Sequence, residues 1–89
     1  MLTKVTKVEK LGGFVLAVHF NDGTHGVHDF STLVQKPGEM YEPLRDPLFF
    51  CRVFLENGAP TWPNGYDIAP EWLRREMASA GELRRDAAE

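Results

Sequence analysis

Phe14-Val15-Leu16-Ala17-Val18-His19-Phe20, then Asn21-Asp22-Gly23, then Thr24-His25-Gly26-Val27-His28-Asp29-Phe30, is the stretch from which the rest of this chain can be laid out. Phe14, Leu16, Val18 and Phe20 alternate with Val15, Ala17 and His19, the period of a strand with one strongly apolar face and one mixed face. Asn21-Asp22-Gly23 supplies turn chemistry, and Thr24 to Phe30 returns as an antiparallel strand. Two registers compete. With Asp22-Gly23 as a two-residue turn, Val18 faces Val27 and Phe20 faces His25. With Asn21, Asp22 and Gly23 all in the loop and Gly23 left-handed, Phe14 faces Phe30, His19 faces His25 and Leu16 lies opposite His28.

Upstream, Val5, Val8 and Leu11 form a thin apolar signal among Lys4, Lys7 and Lys10, and Gly12-Gly13 ends it. The β-branched content favours an edge strand over Lys4 to Leu11. Downstream, Ser31 is expected to cap a short helical turn through Gln35 that stops at Lys36-Pro37-Gly38. No acidic residue follows Ser31 by three places, so a capping box is missing and the turn depends on tertiary support. Glu39 to Pro43 reads as a loop returning Met40 and Tyr41 to the core.

Asp46-Pro47 is a sharper helix start, because the carboxylate accepts an orphan amide and proline sits where no amide is needed. One turn, Leu48 to Phe50, follows it. Arg52 to Glu56, Asn57-Gly58 and Ala59 to Trp62 read as a type I′ hairpin with Glu56 opposite Ala59, Leu55 opposite Pro60 and Val53 opposite Trp62. Pro60 lacks an amide, which makes the returning strand an edge. Pro63 to Asp67 is a second turn cluster before the strongest helix. There Asp67 caps or just precedes the start, Pro70 fits the first turn, and Trp72, Leu73, Met77 and Ala80 form the apolar stripe. Glu71 and Arg75 pair on the wet side, and Gly81 closes the helix.

These elements predict an α+β fold: antiparallel strands with short helical turns and a C-terminal helix packed on one sheet face through Trp72, Leu73 and Met77. Residues 1–81 read as a single domain and residues 82–89 as a charged, frayed tail. With 89 residues, 43% of them apolar, and six Phe, two Trp and two Tyr, the chain can fill one compact core, which excludes barrel and full dinucleotide folds. The net charge of −3 gives no global field for phosphate backbones, so direct nucleic-acid binding is not expected. A single cysteine, Cys51, forms neither an internal disulfide nor a thiolate metal pair, and it is expected to be a buried, inert thiol. The start lacks the apolar run of a secretion signal, and Leu11 to Val18 falls far below the roughly 18 residues that span a bilayer. A cytoplasmic protein without membrane contact is the expectation.

Two segments carry a family resemblance: Phe20-Asn21-Asp22-Gly23-Thr24 running on to Val27-His28-Asp29-Phe30-Ser31, and Pro43-Leu44-Arg45-Asp46-Pro47 with Trp62-Pro63-Asn64-Gly65-Tyr66-Asp67-Ile68-Ala69-Pro70. Together they resemble the small bacterial family called domain of unknown function 2442, over nearly the whole chain to about residue 77. The resemblance implies a small α+β domain with no assigned activity. Some members are followed by a helix-turn-helix domain, and some are encoded beside a small partner in what resembles a toxin and antitoxin arrangement. Eighty-nine residues leave no room for the attached DNA-binding domain, so DNA reading is not carried over to this chain.

Phosphate-loop, dinucleotide, zinc-protease and nucleophile-elbow motifs are absent. His19, His25 and His28 are the only imidazoles. The three-residue loop would place His19 beside His25 with Asp29 further along, but neither register assures three convergent ligands, so no metal or other cofactor is predicted. Arg45, Asp46, Asn64 and Asp67 all sit at turns. Asp46 and Asp67 are explained as caps, Asn64 by its turn with Gly65, and Arg45 as a bridge between the two acidic loops. With His28, these four are also the candidate ligand-binding or partner-binding residues. No catalytic residue is assigned, and a noncatalytic interaction or accessory module is the leading expectation, resting on the two edge strands. A small-molecule binder or weak enzyme using the polar turn residues is the first alternative, and a nucleic-acid-associated accessory protein the second. A homodimer is expected, with a heterologous protein partner as the other mode of assembly. The mixed charges of Glu82, Arg84, Arg85 and Asp86 favour the tail as the dimer contact.

Overall fold

The computed structural model describes residues 2–86. The predicted meander is formed by β1 (Val5–Lys10), β2 (Val15–Phe20) and β3 (Thr24–Asp29). Its central hairpin takes the three-residue-loop register, with His19 opposite His25 and Leu16 opposite His28, and the Phe30 amide donates to the Phe14 carbonyl at 2.8 Å. Two features select it. Gly23 has φ +86°, which a side chain would resist, and Asp22 Oδ1 accepts from both the amide and the hydroxyl of Thr24, at 3.0 and 2.6 Å.

The inner sheet face carries Val5, Leu16, Val18 and Phe20, all buried. Phe30, Phe50, Trp62, Leu73 and Met77 close over them. Trp62 is fully buried and its indole donates to the Phe50 carbonyl at 2.8 Å, so the ring's one polar atom is satisfied inside the core.

Between the sheet and the C-terminal helix lie α1 (Ser31–Val34), a 3-10 turn (Glu42–Arg45), α2 (Pro47–Phe50) and the hairpin β4 (Phe54–Glu56) and β5 (Ala59–Thr61). Asp46 caps α2 as expected, accepting from the Leu48 amide at 3.0 Å with Pro47 behind it. The Asn57-Gly58 hairpin has the predicted pairs Glu56 with Ala59 and Leu55 with Pro60. Ser31 is not the cap of α1. Phe30 holds that position without a side-chain bond, while Asp29 Oδ1 accepts from the Ser31 amide at 2.9 Å. Met40 is exposed and only Tyr41 of that loop packs on the core. Cys51 is half-buried, its thiol against the Leu48 carbonyl at 3.2 Å, and so is more accessible than expected.

The edge expected at β5 is occupied by the chain itself. The Ile68 amide donates to the Pro60 carbonyl and the Trp62 amide to the Tyr66 carbonyl, with Thr61 bridged to Asp67. On β1 the hairpin tip covers the start, where the Val5 amide donates to the Gly58 carbonyl at 2.8 Å.

Helix α3 (Pro70–Ser79) lies on the inner sheet face through Leu73 and Met77, both fully buried. Trp72, expected beside them, is only partly buried. Asp67 does not cap the helix; Ala69 precedes it without a side-chain bond, and Pro70 opens the first turn. The end is a Schellman turn, with the Glu82 amide to the Met77 carbonyl and the Gly81 amide to the Ala78 carbonyl.

That turn redirects the segment expected to fray. β6 (Arg84–Arg85) pairs antiparallel with β3, Thr24 opposite Arg85 and His25 opposite Arg84, giving the sheet order β1-β2-β3-β6. The Asp86 amide then donates to the Gly23 carbonyl at 2.7 Å. The rest of the expected tail, residues 87–89, lies outside the described residues. Gly26 makes this route possible, because a Cβ there would run into the Glu82 carbonyl and Met77 Cε. No described helix is long and apolar enough to cross a membrane.

A candidate binding groove between α1 and α3

Two clefts of about 330 and 350 Å³ adjoin one another along α1 and α3 and share Leu33, Lys36 and Trp72. The ridge between them is Lys36, whose Nζ lies 5.9 Å from the centre of the Trp72 ring. On one side the wall is Tyr41, Tyr66 and Asp67; on the other it is His28, Asp29 and Glu76.

Helical periodicity explains why Trp72 is free to take part. Leu73 and Met77 stand four residues apart on the core face, and Trp72, about 100° away around the helix, falls on its flank. With Leu73 and Met77 centred on the sheet, Trp72 is left at the margin of that face. That offset was the signal in the sequence for Trp72 as a groove residue; nothing comparable marked Lys36 or Tyr41.

Of the five sequence-predicted site residues, two line the groove, two shape it and Asp46 does neither. His28 and Asp67 line opposite sides. His28 Nδ1 is 2.7 Å from Glu82 Oε1, and its ring meets Phe30 edge-on at 4.7 Å. Arg45 does not bridge the acidic loops. Its Nε donates to the Val34 carbonyl and its Nη2 to the Lys36 carbonyl, both at 2.8 Å, so the guanidinium caps the end of α1 and fixes the backbone that carries Lys36. Asn64 donates to the Met40 carbonyl at 3.1 Å and accepts from the Tyr66 amide at 3.2 Å, holding Tyr66 beside Tyr41 with ring centres 5.0 Å apart. Asp46 serves α2 alone among the described contacts. The polar turn residues therefore do not meet in one cluster.

One acid and a phenol show what this setting does to ionisation. Burial, helped by the neighbouring Tyr41 hydroxyl and the Asp67 carboxylate, raises the Tyr66 phenol well above its ordinary value, so it stays a neutral hydrogen-bonding group. The Ser31 amide holds Asp29 below the usual carboxylate range. Asp29, anticipated as an outlying partner of His19 and His25, is engaged in this turn instead. The groove thus offers aromatic surface, one cation on a ring face, and carboxylates at both ends.

The sequence model of a family described as "Protein of unknown function (DUF2442)" matches residues 5–79, so the chain belongs to that family. No curated protein and no solved structure matches the chain.

Proposed function

We propose that this member of the DUF2442 family is a noncatalytic interaction module, a bacterial cytoplasmic accessory or partner subunit of a regulatory pair, and that it grips its partner in the α1–α3 groove. The observation carrying this reading is Trp72, held on a rigid helix between two clefts yet left partly exposed. Tryptophan and tyrosine on fixed backbone supply large contact area at low entropic cost, and such residues dominate binding energy at protein interfaces. Asp29, Glu76 and Asp67 outnumber Lys36 around the groove. The complementary occupant is a peptide segment with an apolar anchor flanked by Lys or Arg. Arg45, Asp46 and Asn64, the turn residues from which acid–base chemistry would otherwise be built, are each engaged with backbone, which favours binding.

Selection from a random peptide library tests the reading. Enrichment of an aliphatic or aromatic residue between basic residues is expected; enriched sequences without basic flanks contradict it. The cleft volumes also suit a small organic ligand, a second reading distinguished by stabilisation of the protein by small aromatic compounds and by none of the selected peptides.

Self-association as a homodimer belongs to the same proposal. The tail is no longer its surface of choice, because Glu82 and Asp86 are engaged with His28 and His25. The uncovered outer sheet face, where Val27 is 50% exposed opposite Ala17, is the better candidate. Light scattering at about 100 μM reports a dimer if the proposal holds and a monomer if it does not.

A further inference from the structure

We infer that His19, His25 and Asp86 form a binding site for one divalent transition-metal ion of the zinc class on the outer face of the sheet. The site is separate from the α1–α3 groove and does not depend on the function proposed for it, and it shares the outer sheet face with the surface proposed for self-association.

The three-residue hairpin loop makes His19 and His25 direct cross-strand neighbours, and residues so placed share a sheet face. Their rings stack with centres 5.2 Å apart and planes 18° from parallel. Parallel imidazoles in this arrangement can offer ring nitrogens toward one point. The C-terminal strand then delivers a carboxylate to that point: β6 pairs with β3, the Asp86 amide is pinned to the Gly23 carbonyl at 2.7 Å, and Asp86 Oδ1 lies 2.6 Å from His25 Nδ1. One ligand atom from each of the three residues lies within 4.8 Å of the others.

The donor set fits zinc and its neighbours, which take imidazole nitrogen and carboxylate oxygen at about 2.0 to 2.2 Å. Tetrahedral bonds of that length separate ligand atoms by roughly 3.4 Å. The His25–Asp86 contact must open slightly and His19 must draw in. Asp86, with its side chain 53% exposed, and the half-buried histidines have room for both movements. The ion replaces the proton now shared between His25 Nδ1 and Asp86, and that proton passes to solvent or to Nε2. Water completes the coordination.

The surroundings support an ion here. His19 has no side-chain hydrogen-bond partner among the described residues, unlike His28, which is bound to Glu82. The two nearby cations are turned elsewhere: Lys7 pairs with Glu9 at 3.0 Å, and Arg84 donates to the Gly81 and Leu83 carbonyls.

Titration of the full chain with zinc in a calorimeter, and with cobalt(II) followed by visible absorption, tests the site. One saturable equivalent and a cobalt d–d band are expected. His19→Ala and His25→Ala should each weaken zinc binding by more than about 10-fold, and Asp86→Asn by about 10-fold. Cys51→Ser should bind as the unmodified chain does. Thermal unfolding without metal checks that each variant is folded, and zinc should raise the melting temperature of the unmodified chain and of Cys51→Ser more than that of the His19, His25 and Asp86 variants. Absence of a saturable equivalent, unchanged binding in the two histidine variants, or loss of binding in Cys51→Ser overturns the assignment.

Discussion

Arg74 on α3 donates from Nε to Asp22 Oδ2 at 2.8 Å, tying the C-terminal helix to the turn of the central hairpin. The same carboxylate's other oxygen accepts from the Thr24 amide and hydroxyl, so one side chain sets both the hairpin register and the seat of the helix.

Asp22→Asn should therefore cost about 1 to 2 kcal/mol, most of it through Thr24, since the Arg74 contact is partly open to water. The Thr24 hydroxyl, the Thr24 amide and Arg74 hold the Asp22 carboxyl below its ordinary value of 3.8. A depressed acid stabilises the folded state above its unfolded pKa and ceases to do so as pH falls through the folded one. Urea titrations should show this contribution intact at pH 7 and fading below about pH 4, with a flatter acid limb in Asp22→Asn. Identical acid limbs would exclude the role assigned to Asp22.

The two tryptophans should separate cleanly. Trp62→Ala removes a fully buried ring and leaves the Phe50 carbonyl with only the longer bond from the Val53 amide at 3.3 Å, for a loss of about 3 to 5 kcal/mol. Trp72→Ala removes a partly exposed ring and should cost under about 2 kcal/mol. Equal losses in denaturant titrations would mean that Trp72 belongs to the core.

Much of the fold was legible because its signals are local. The alternation over Phe14 to Phe20, the Asp46-Pro47 start, the Asn57-Gly58 turn and Gly81 each act within a few residues, and each formed as read. What depends on distant partners was not legible. Arg45 finds the carbonyls of Val34 and Lys36 rather than an aspartate, and Asp67 pairs beside Thr61 rather than capping α3. The pairing of Arg84–Arg85 had one faint marker, a glycine inside the Thr24–Asp29 strand, which signals close approach by another part of the chain without saying which part.

Gly26→Ala tests that approach. The added methyl would press on the Glu82 carbonyl and Met77 Cε, so a loss of about 1 to 3 kcal/mol is expected, together with faster hydrogen exchange at the Arg84 and Asp86 amides, which face β3. A variant with unchanged stability and exchange would show that the segment is not seated on Gly26.

Ending the chain at Gly81 should likewise destabilise it. The truncation deletes the Glu82 bond to His28, the β6 pairing and the Asp86 amide bond, worth about 2 kcal/mol together after allowing for exposure. A urea midpoint equal to that of the full chain would mean that the last strand adds nothing to the fold.

The groove stands or falls with Trp72. Isothermal titration of a library-selected, basic-flanked peptide into the full chain and into folded Trp72→Ala measures its part directly. A loss of affinity of at least about 10-fold in the variant is the predicted result; equal affinity in the two proteins would contradict the assignment of this groove as the binding surface.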